Sequence, residues 1–587
     1  MAFLVSNTMT SPALMVLLCC FLLIANGAHQ SEACYGTNQK LQSLQVSAPA
    51  NQPYLTSYHF RPPQNWINDP NGPMHYKGVY HLFYQYNPLG PLFGDKMIWA
   101  HSVSYDLINW IHLSHALCPS GPYDINSCWS GSVTILPGDK PFILYTGIDA
   151  SGQQVQNLAM PENLSDPLLK DWVKFSGNPV MTPPNGVKDD MFRDPTTAWQ
   201  APDGRWRVVV GGQIDNEGMA FVYWSWDFIH WTKLDHPLYS VQETGMWECP
   251  DFFPVSINGT IGVDTSVLNP GVKHVLKTSL FSDKHDYYVL GTYDPQMDIF
   301  SPDTDFHGNS NDLRYDYGKF YASKTFFDSA KNRRVLWAWA NESDSTQDDI
   351  DKGWSGVQTV PRAIWLDKSG KQLVQWPVEE IETLRGKQVS IHDKELGSGS
   401  IVEVSGITAS QVDVEIDFEL PELEEAELFD PAWVDPQQLC NDKNASIQGR
   451  FGPFGLLILA TEDLTEKTAI FFRIFKGQNK YVVLMCSDHS RSSLKEDLDK
   501  TTYGAFVDID PHHGKVSLRS LVDHSIVESF AARGKTCITT RVYPKVAVEN
   551  EAHLFAFNNG TQSVVISSLN AWNMNQARLS EEESFKL

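Results

Sequence analysis

Ser104-Tyr-Asp106-Leu-Ile-Asn-Trp110 and Ser225-Trp-Asp227-Phe-Ile-His-Trp231 are two copies of one pattern. Each copy closes a stretch that opens on an Asp-Pro pair, Asp69-Pro70 before the first and Asp194-Pro195 before the second. A third acidic pair, Pro250-Asp251, opens another run of strand-like sequence. Repeated sheet units, each opened by an acidic residue, suit a β-propeller, whose inner strands aim side chains at a central channel.

The surrounding sequence agrees. Long helical periodicity is scarce, and short runs rich in Val, Ile, Tyr, Phe and Trp alternate with Gly, Pro, Asn and Asp. Val79 to Tyr86, Trp206 to Val210, Tyr287 to Thr292 and Val335 to Ala340 are examples. This patterning is that of an all-β protein. A chain of 587 residues exceeds the roughly 250–300 at which one hydrophobic core stops growing, so two domains are expected. The character changes after Trp376, and from Ile447 to Trp572 short strands with turn signals suit a β-sandwich. We therefore expect a propeller over 52–385, a linker over 386–395 and a sandwich over 396–587.

At the N-terminus, the apolar run Ala13 to Ala25 is too short to span a bilayer and is followed by small residues at Ala25 and Gly27. This reads as a signal peptide over 1–27, with an N-terminal segment over 28–51, and as a secreted chain without a membrane anchor. Of nine cysteines, Cys19 and Cys20 would leave with that peptide, and an odd set remains. The pairing of Cys34, Cys118, Cys128 and Cys537 is open. Asn163, Asn258, Asn341, Asn444 and Asn559 head N-x-S/T sequons, as in a secretory glycoprotein. A net charge of −25 argues against a nucleic-acid partner, whose phosphates demand a basic surface. There is no His-Glu-x-x-His, no paired Cys-x-x-Cys and no phosphate-binding Gly loop, so neither metal nor cofactor is implied. His512 and His513 have no ligand spacing. A monomer is expected.

Three segments set an acidic residue among Pro and aromatic neighbours: Trp66-Ile-Asn68-Asp69-Pro70-Asn71-Gly72, Phe192-Arg193-Asp194-Pro195 and Trp247-Glu248-Cys249-Pro250-Asp251. One Asp-Pro alone reads as a turn or strand start; three in equivalent places point to one pocket. Glycoside hydrolysis needs two carboxyl groups, one to attack or activate water and one to protonate the leaving oxygen. Glu248, between Trp247 and Cys249, has an apolar setting that raises a carboxyl pKa and suits a proton donor. Asp69, beside Asn68 and Asn71, has a polar setting that suits an ionised nucleophile. Cys249 is expected to pack against Glu248 and tune it.

These segments resemble the signature motifs of glycoside hydrolase family 32, over about Tyr58 to Trp572, and most resemble its plant cell-wall invertases and fructan exohydrolases. The resemblance implies a five-bladed propeller followed by a sandwich, with Asp69 forming a fructosyl-enzyme and Glu248 as acid/base. It implies that Asp194 holds fructose hydroxyls, that Asn68, Gln85, Ser130 and Arg193 shape the pocket, and that Trp66, Phe93 and Trp129 form an apolar rim. It also implies a disulfide between Cys440 and Cys486.

The chain departs from the similar invertases on the leaving-group side. Phe281 stands where they carry an Asp, three residues before Lys284, and Phe93 stands where they usually carry a Trp. Either the change is drift, or Asp283 takes the role from a shifted loop, or the sucrose site is weakened in favour of fructan. The last reading implies a retaining exohydrolase releasing terminal fructose, leaning to β-2,6-linked levan or 6-kestose. The alternatives are a cell-wall invertase, a fructosyltransferase and a catalytically idle sugar-binding relative. The apoplast and the vacuole are both compatible locations.

Overall fold

The computed structural model describes residues 52–511 and 515–581. The expected signal peptide, residues 28–51, Cys34 and the His512-His513 pair lie outside them. No helix among the described residues is long and apolar enough to cross a membrane.

Five antiparallel sheets follow one another from Asn65 to Pro377 as the blades of a propeller. Their innermost strands are Asn65–Tyr76, Ser127–Leu136, Phe192–Arg193, Trp247–Ser256 and Tyr321–Asp328. The first blade is closed from both ends of the chain order. Trp354–Ser355 pairs in parallel with its inner strand, and Leu579–Glu581 pairs in parallel with its outer strand, Trp110–His112. The C-terminal residues 579–581, expected in the sandwich, thus belong to the propeller's edge.

The Ser-x-Asp repeat is one turn used twice, between the third and fourth strands of blades I and III. In each copy the Asp carboxylate accepts two backbone N–H groups (Ile108 at 3.0 and Asn109 at 2.7 Å; Ile229 at 3.0 and His230 at 2.8 Å). Leu107 and Phe228 both take left-handed backbone, with φ 65° and 66°. The closing Trp returns its indole N–H to that residue's carbonyl. Side-chain capping of this kind makes an Asx-type turn self-sufficient, which is why it is legible locally.

Two further sheets, of six and seven strands, form the sandwich, with Phe418, Phe454, Phe472 and Val516 among the residues of its core. The expected linker 386–395 is instead a strand, Arg385–Leu396, paired with Val564–Met574. Most of its side chains are exposed and charged or polar, so its composition reads as a linker. Its place in the sheet comes from backbone bonds, with Val389 and Ile391 packed on the core. Only the 3₁₀ turn Glu379–Leu384 separates the domains.

Buried charges fasten the two domains together. His59 is held between Asp523 and Glu528, each at 2.9 Å. Arg362 of blade V joins Glu528 to Asp316, and Asp316 accepts both the backbone N–H and the hydroxyl of Thr539 at 2.7 Å. Cys440 and Cys486 are bridged, with S–S 2.03 Å. Cys118 is also disulfide-bonded. Cys128, Cys249 and Cys537 are free and buried.

Candidate active site

Each of the five inner strands delivers a side chain to one cleft of about 560 Å³. The strands bring Asp69, Ser130, Arg193 with Asp194, Glu248 and Tyr321, in blade order. Four of the five lose regular register beside these residues, at Ile67/Pro70, Cys128/Gly131, Glu248/Asp251 and Tyr321/Lys324. A bulge inserts an extra residue and re-aims the side chain next to it. Proline contributes at two of these sites, because Pro70 and Pro250 lack the N–H that an unbroken ladder would need.

The carboxylates converge through a short network. Asp69 accepts from Ser130 Oγ at 2.6 Å and Asn68 Nδ2 at 2.9 Å, and Asn68 is oriented by the Trp66 indole at 2.8 Å. Asp194 accepts the Cys249 backbone N–H at 2.8 Å. The Cys249 thiol lies 3.4 Å from Asp69 and 3.5 Å from Asp194, so this residue bridges the two aspartates as well as following Glu248. Arg193 places Nε and Nη2 on Glu248 Oε1 at 3.1 and 3.0 Å. Its remaining nitrogen is fixed by Gln154 and the Asp190 carbonyl. Tyr321 donates its hydroxyl to Glu248 Oε2, and Lys284 Nζ lies 3.4 Å from the same oxygen. Beneath the site, buried Lys277 donates to the Cys249 and Ser323 carbonyls at 2.9 and 2.8 Å, tying blades IV and V.

This arrangement reverses the expected electrostatics. Burial pushes the Glu248 carboxyl up, but the charges of Arg193 and Lys284, with hydrogen bonds from Tyr321 and Arg193, outweigh it and hold the group below its ordinary value. Burial raises Asp69, helped by the Glu248 charge and opposed by Ser130 and Asn68. Burial also raises Asp194, to about 6, against the pull of Arg193. The apolar neighbours that suggested an elevated Glu248 do not decide its pKa. In a strand, Trp247 and Cys249 point to the opposite face, and the groups across the cleft face the carboxyl.

All the residues singled out for substrate contact, Trp66, Asn68, Gln85, Phe93, Trp129, Ser130, Arg193, Phe281 and Lys284, line the cleft with the three carboxylates. Gln85 is buried, and its Nε2 has no partner among the described residues. Trp66 meets Phe93 and Trp339 edge-on, at 6.0 and 5.5 Å between ring centres, and forms the apolar wall. Asp283 does not reach the cleft: its carboxylate accepts from Tyr287 at 2.7 Å and the His285 N–H at 3.1 Å. The sequence reading missed Gln154, Asp190, Met191, Tyr321, Trp339 and Asn341, which also line the cleft. Asn341 carried a signal, as a sequon, but not one for the cleft. Of the other sequons, Asn163 and Asn258 are exposed, whereas Asn444 and Asn559 are half-buried.

Among the described residues, one carboxylate group, Glu342, Asp344 and Asp349, is close enough to hold a cation. The Lys352 ammonium already lies against all three.

The glycosyl hydrolases family 32 N-terminal domain matches residues 59–377, and the family's C-terminal domain matches 380–573. A β-fructofuranosidase, insoluble isoenzyme, of Arabidopsis thaliana is 58% identical over 570 residues, covering 95% of this chain and 97% of the relative. A fructan 6-exohydrolase of Beta vulgaris is 56% identical, covering 90% of this chain and 88% of the relative. The crystal structure of fructan 1-exohydrolase IIa from Cichorium intybus superposes with a TM-score of 0.90 at 59% identity, over 91% of this chain and 100% of that one. Matched in both domains and along most of its length, the chain belongs to glycosyl hydrolase family 32 and is a plant β-fructofuranosidase.

Proposed function

We propose that this β-fructofuranosidase is a retaining fructan exohydrolase that releases terminal fructose, with β-2,6-linked levan or 6-kestose as preferred substrates. Asp69 attacks the anomeric C2 of the terminal fructofuranosyl unit, and the C2–O bond to the leaving group breaks as Glu248 gives that oxygen its proton. Glu248, now a carboxylate, takes a proton from water; the water oxygen attacks C2, fructose leaves, and Asp69 is free again. Asp194 and Arg193 hold the ring hydroxyls. The productive form needs charge on Asp69 and a proton on Glu248. A sugar that fills the cleft removes water from Glu248, and that change favours the protonated acid.

The observation that carries the fructan reading is the leaving-group wall. Phe281 and Lys284 form it beside Glu248, and no carboxylate stands in the place where similar invertases have Asp, since Asp283 is turned away and bonded elsewhere. An apolar face suits a longer saccharide leaving group better than a lone glucose whose hydroxyls need acceptors. The relatives named fructan exohydrolases support this reading. The high identity to an insoluble β-fructofuranosidase supports the alternative, an invertase acting on sucrose, and fits a location in the apoplast.

The test is the ratio of kcat/KM for sucrose over 6-kestose, in the wild type and in Phe281→Asp, with inulin and levan alongside. Restoring one charged hydrogen bond raises the ratio by about ten-fold or more. Robust sucrose cleavage by the wild type with an unchanged ratio in the variant makes the chain an invertase and Phe281 a bystander.

A further inference from the structure

We infer that Phe281 also acts on the chemistry, as the seat that holds the Lys284 ammonium against the Glu248 carboxylate, so that one position sets both leaving-group preference and the pH range of the proton donor. The inference rests on Glu248 as the acid/base.

The geometry is that of a platform. Lys284 Nζ lies 3.7 Å from the centre of the Phe281 ring, 5.0 Å from that of Tyr321 and 3.4 Å from Glu248 Oε2. A cation within about 6 Å of a ring centre is attracted by the ring's negative face. Both rings therefore hold the ammonium where it meets the carboxylate. The Arg193 guanidinium, 5.7 Å from the same Phe281 ring, places a second cation on this wall.

The backbone keeps the platform in register. Phe281 N–H donates to the Met246 carbonyl at 3.1 Å, two residues before Glu248, and Lys284 N–H closes the turn on Leu280 at 3.0 Å. Lys284 itself takes left-handed backbone, φ 58°, and Asp283 anchors the turn to Tyr287 and His285. Ring and ammonium thus share one hairpin turn, between strands Val272–Leu280 and His285–Asp294, and the Phe281 N–H ties that turn to the neighbouring strand that carries Glu248.

The groups facing Glu248 are Arg193 from blade III, Tyr321 from blade V, Lys284 from this turn, and the like charges of Asp69 and Asp194. Arg193 is fixed from several sides, whereas the Lys284 side chain is 45% exposed and loses its seat if the ring is removed. An Asp at 281 would draw the ammonium to itself and add a negative charge beside Glu248. Both effects favour the protonated acid. A Leu at 281 would release the ammonium to water without adding charge.

The experiment is the pH dependence of kcat/KM for wild type, Lys284→Met, Phe281→Leu, Phe281→Asp and the Phe281→Leu/Lys284→Met double variant. It uses whichever substrate the wild type cleaves fastest, so the readout does not depend on the substrate class. The basic limb, which reports the Glu248 proton, moves up by about one pH unit in Lys284→Met and Phe281→Asp, the water-screened limit for unit charges at this spacing. It moves part of the way in Phe281→Leu, and the double variant moves no further than Lys284→Met alone, because the two changes remove one interaction. An unmoved limb in Phe281→Leu beside a moved one in Lys284→Met overturns the platform. An unmoved limb in both overturns the contact with Glu248. A moved limb with an unchanged sucrose-to-6-kestose ratio in Phe281→Asp keeps the pH role of Phe281 and overturns its role in leaving-group preference; robust sucrose cleavage by the wild type in addition removes the fructan reading. Full activity and an intact basic limb in Glu248→Gln remove the acid/base assignment itself.

Discussion

Tyr321→Phe is the smallest change that addresses the electrostatics of Glu248, the proposed acid/base. The hydroxyl donates to Glu248 Oε2, and a Phe keeps the ring and its edge contact with Trp339 at 6.5 Å. Burial and the Glu248 charge push the Tyr321 phenol well above its ordinary value, so it remains a donor throughout the working range. A hydrogen bond to a charged group is worth about 1.5–3 kcal/mol, and one pKa unit corresponds to about 1.4 kcal/mol. The bond favours the ionised carboxylate, so deleting it raises the Glu248 pKa, by about one to two units. Measured as kcat/KM against pH with 6-kestose, the basic limb shifts to higher pH by that amount. The acid limb, which reports ionised Asp69, moves less. These limbs belong to the interacting trio rather than to single residues, but the direction of the basic limb is unambiguous. A limb that stays in place, or moves to lower pH, refutes the assignment of Tyr321 as the group that stabilises ionised Glu248.

Asp69→Ala removes turnover and covalent labelling by a mechanism-based fructosyl analogue, and near-normal activity in that variant rules out Asp69 as nucleophile. Glu528→Gln discharges a buried acceptor shared by His59, Arg362 and the Val360 N–H, a kind of change that costs about 3–5 kcal/mol. It lowers the melting temperature by several degrees in calorimetry, and a shift below about one degree contradicts the role of this cluster in joining the domains. Buried His81 and His112 are held down to about 3 and about 4 by desolvation. Each stays neutral in the fold while the unfolded chain takes up a proton below about 6.5. Their contribution is therefore complete above that pH and is lost as pH falls toward the folded values. His112→Gln shows a shallower decline of melting temperature between pH 6.5 and 4 than the wild type, and an equal or steeper decline refutes this.

Much of the fold was legible because it is written in local chemistry. The Ser-x-Asp turns carry their own hydrogen-bond partners within a few residues, so two copies announce two equivalent blades. Asp-Pro and Pro-Asp mark inner strands because proline interrupts a ladder wherever it stands. The carboxylates and the residues singled out beside them, from three short segments and the family resemblance that they carry, line one cleft. The strand Arg385–Leu396 was not legible, since its residues are mostly exposed and only pairing with Val564–Met574 makes them a strand. Nor was the return of Leu579–Glu581 to blade I, across more than four hundred residues of chain. Tyr321 and Trp339 had no motif around them; blade closure alone sets them in the cleft. The sequence by itself therefore determined which residues could do the chemistry, because residue type and turn chemistry are local. The tertiary structure decided the direction in which the pKa of Glu248, the proposed acid/base, moves, because Arg193, Lys284 and Tyr321 reach it from three different blades and the field of a charge depends on distance in space, not on separation along the chain.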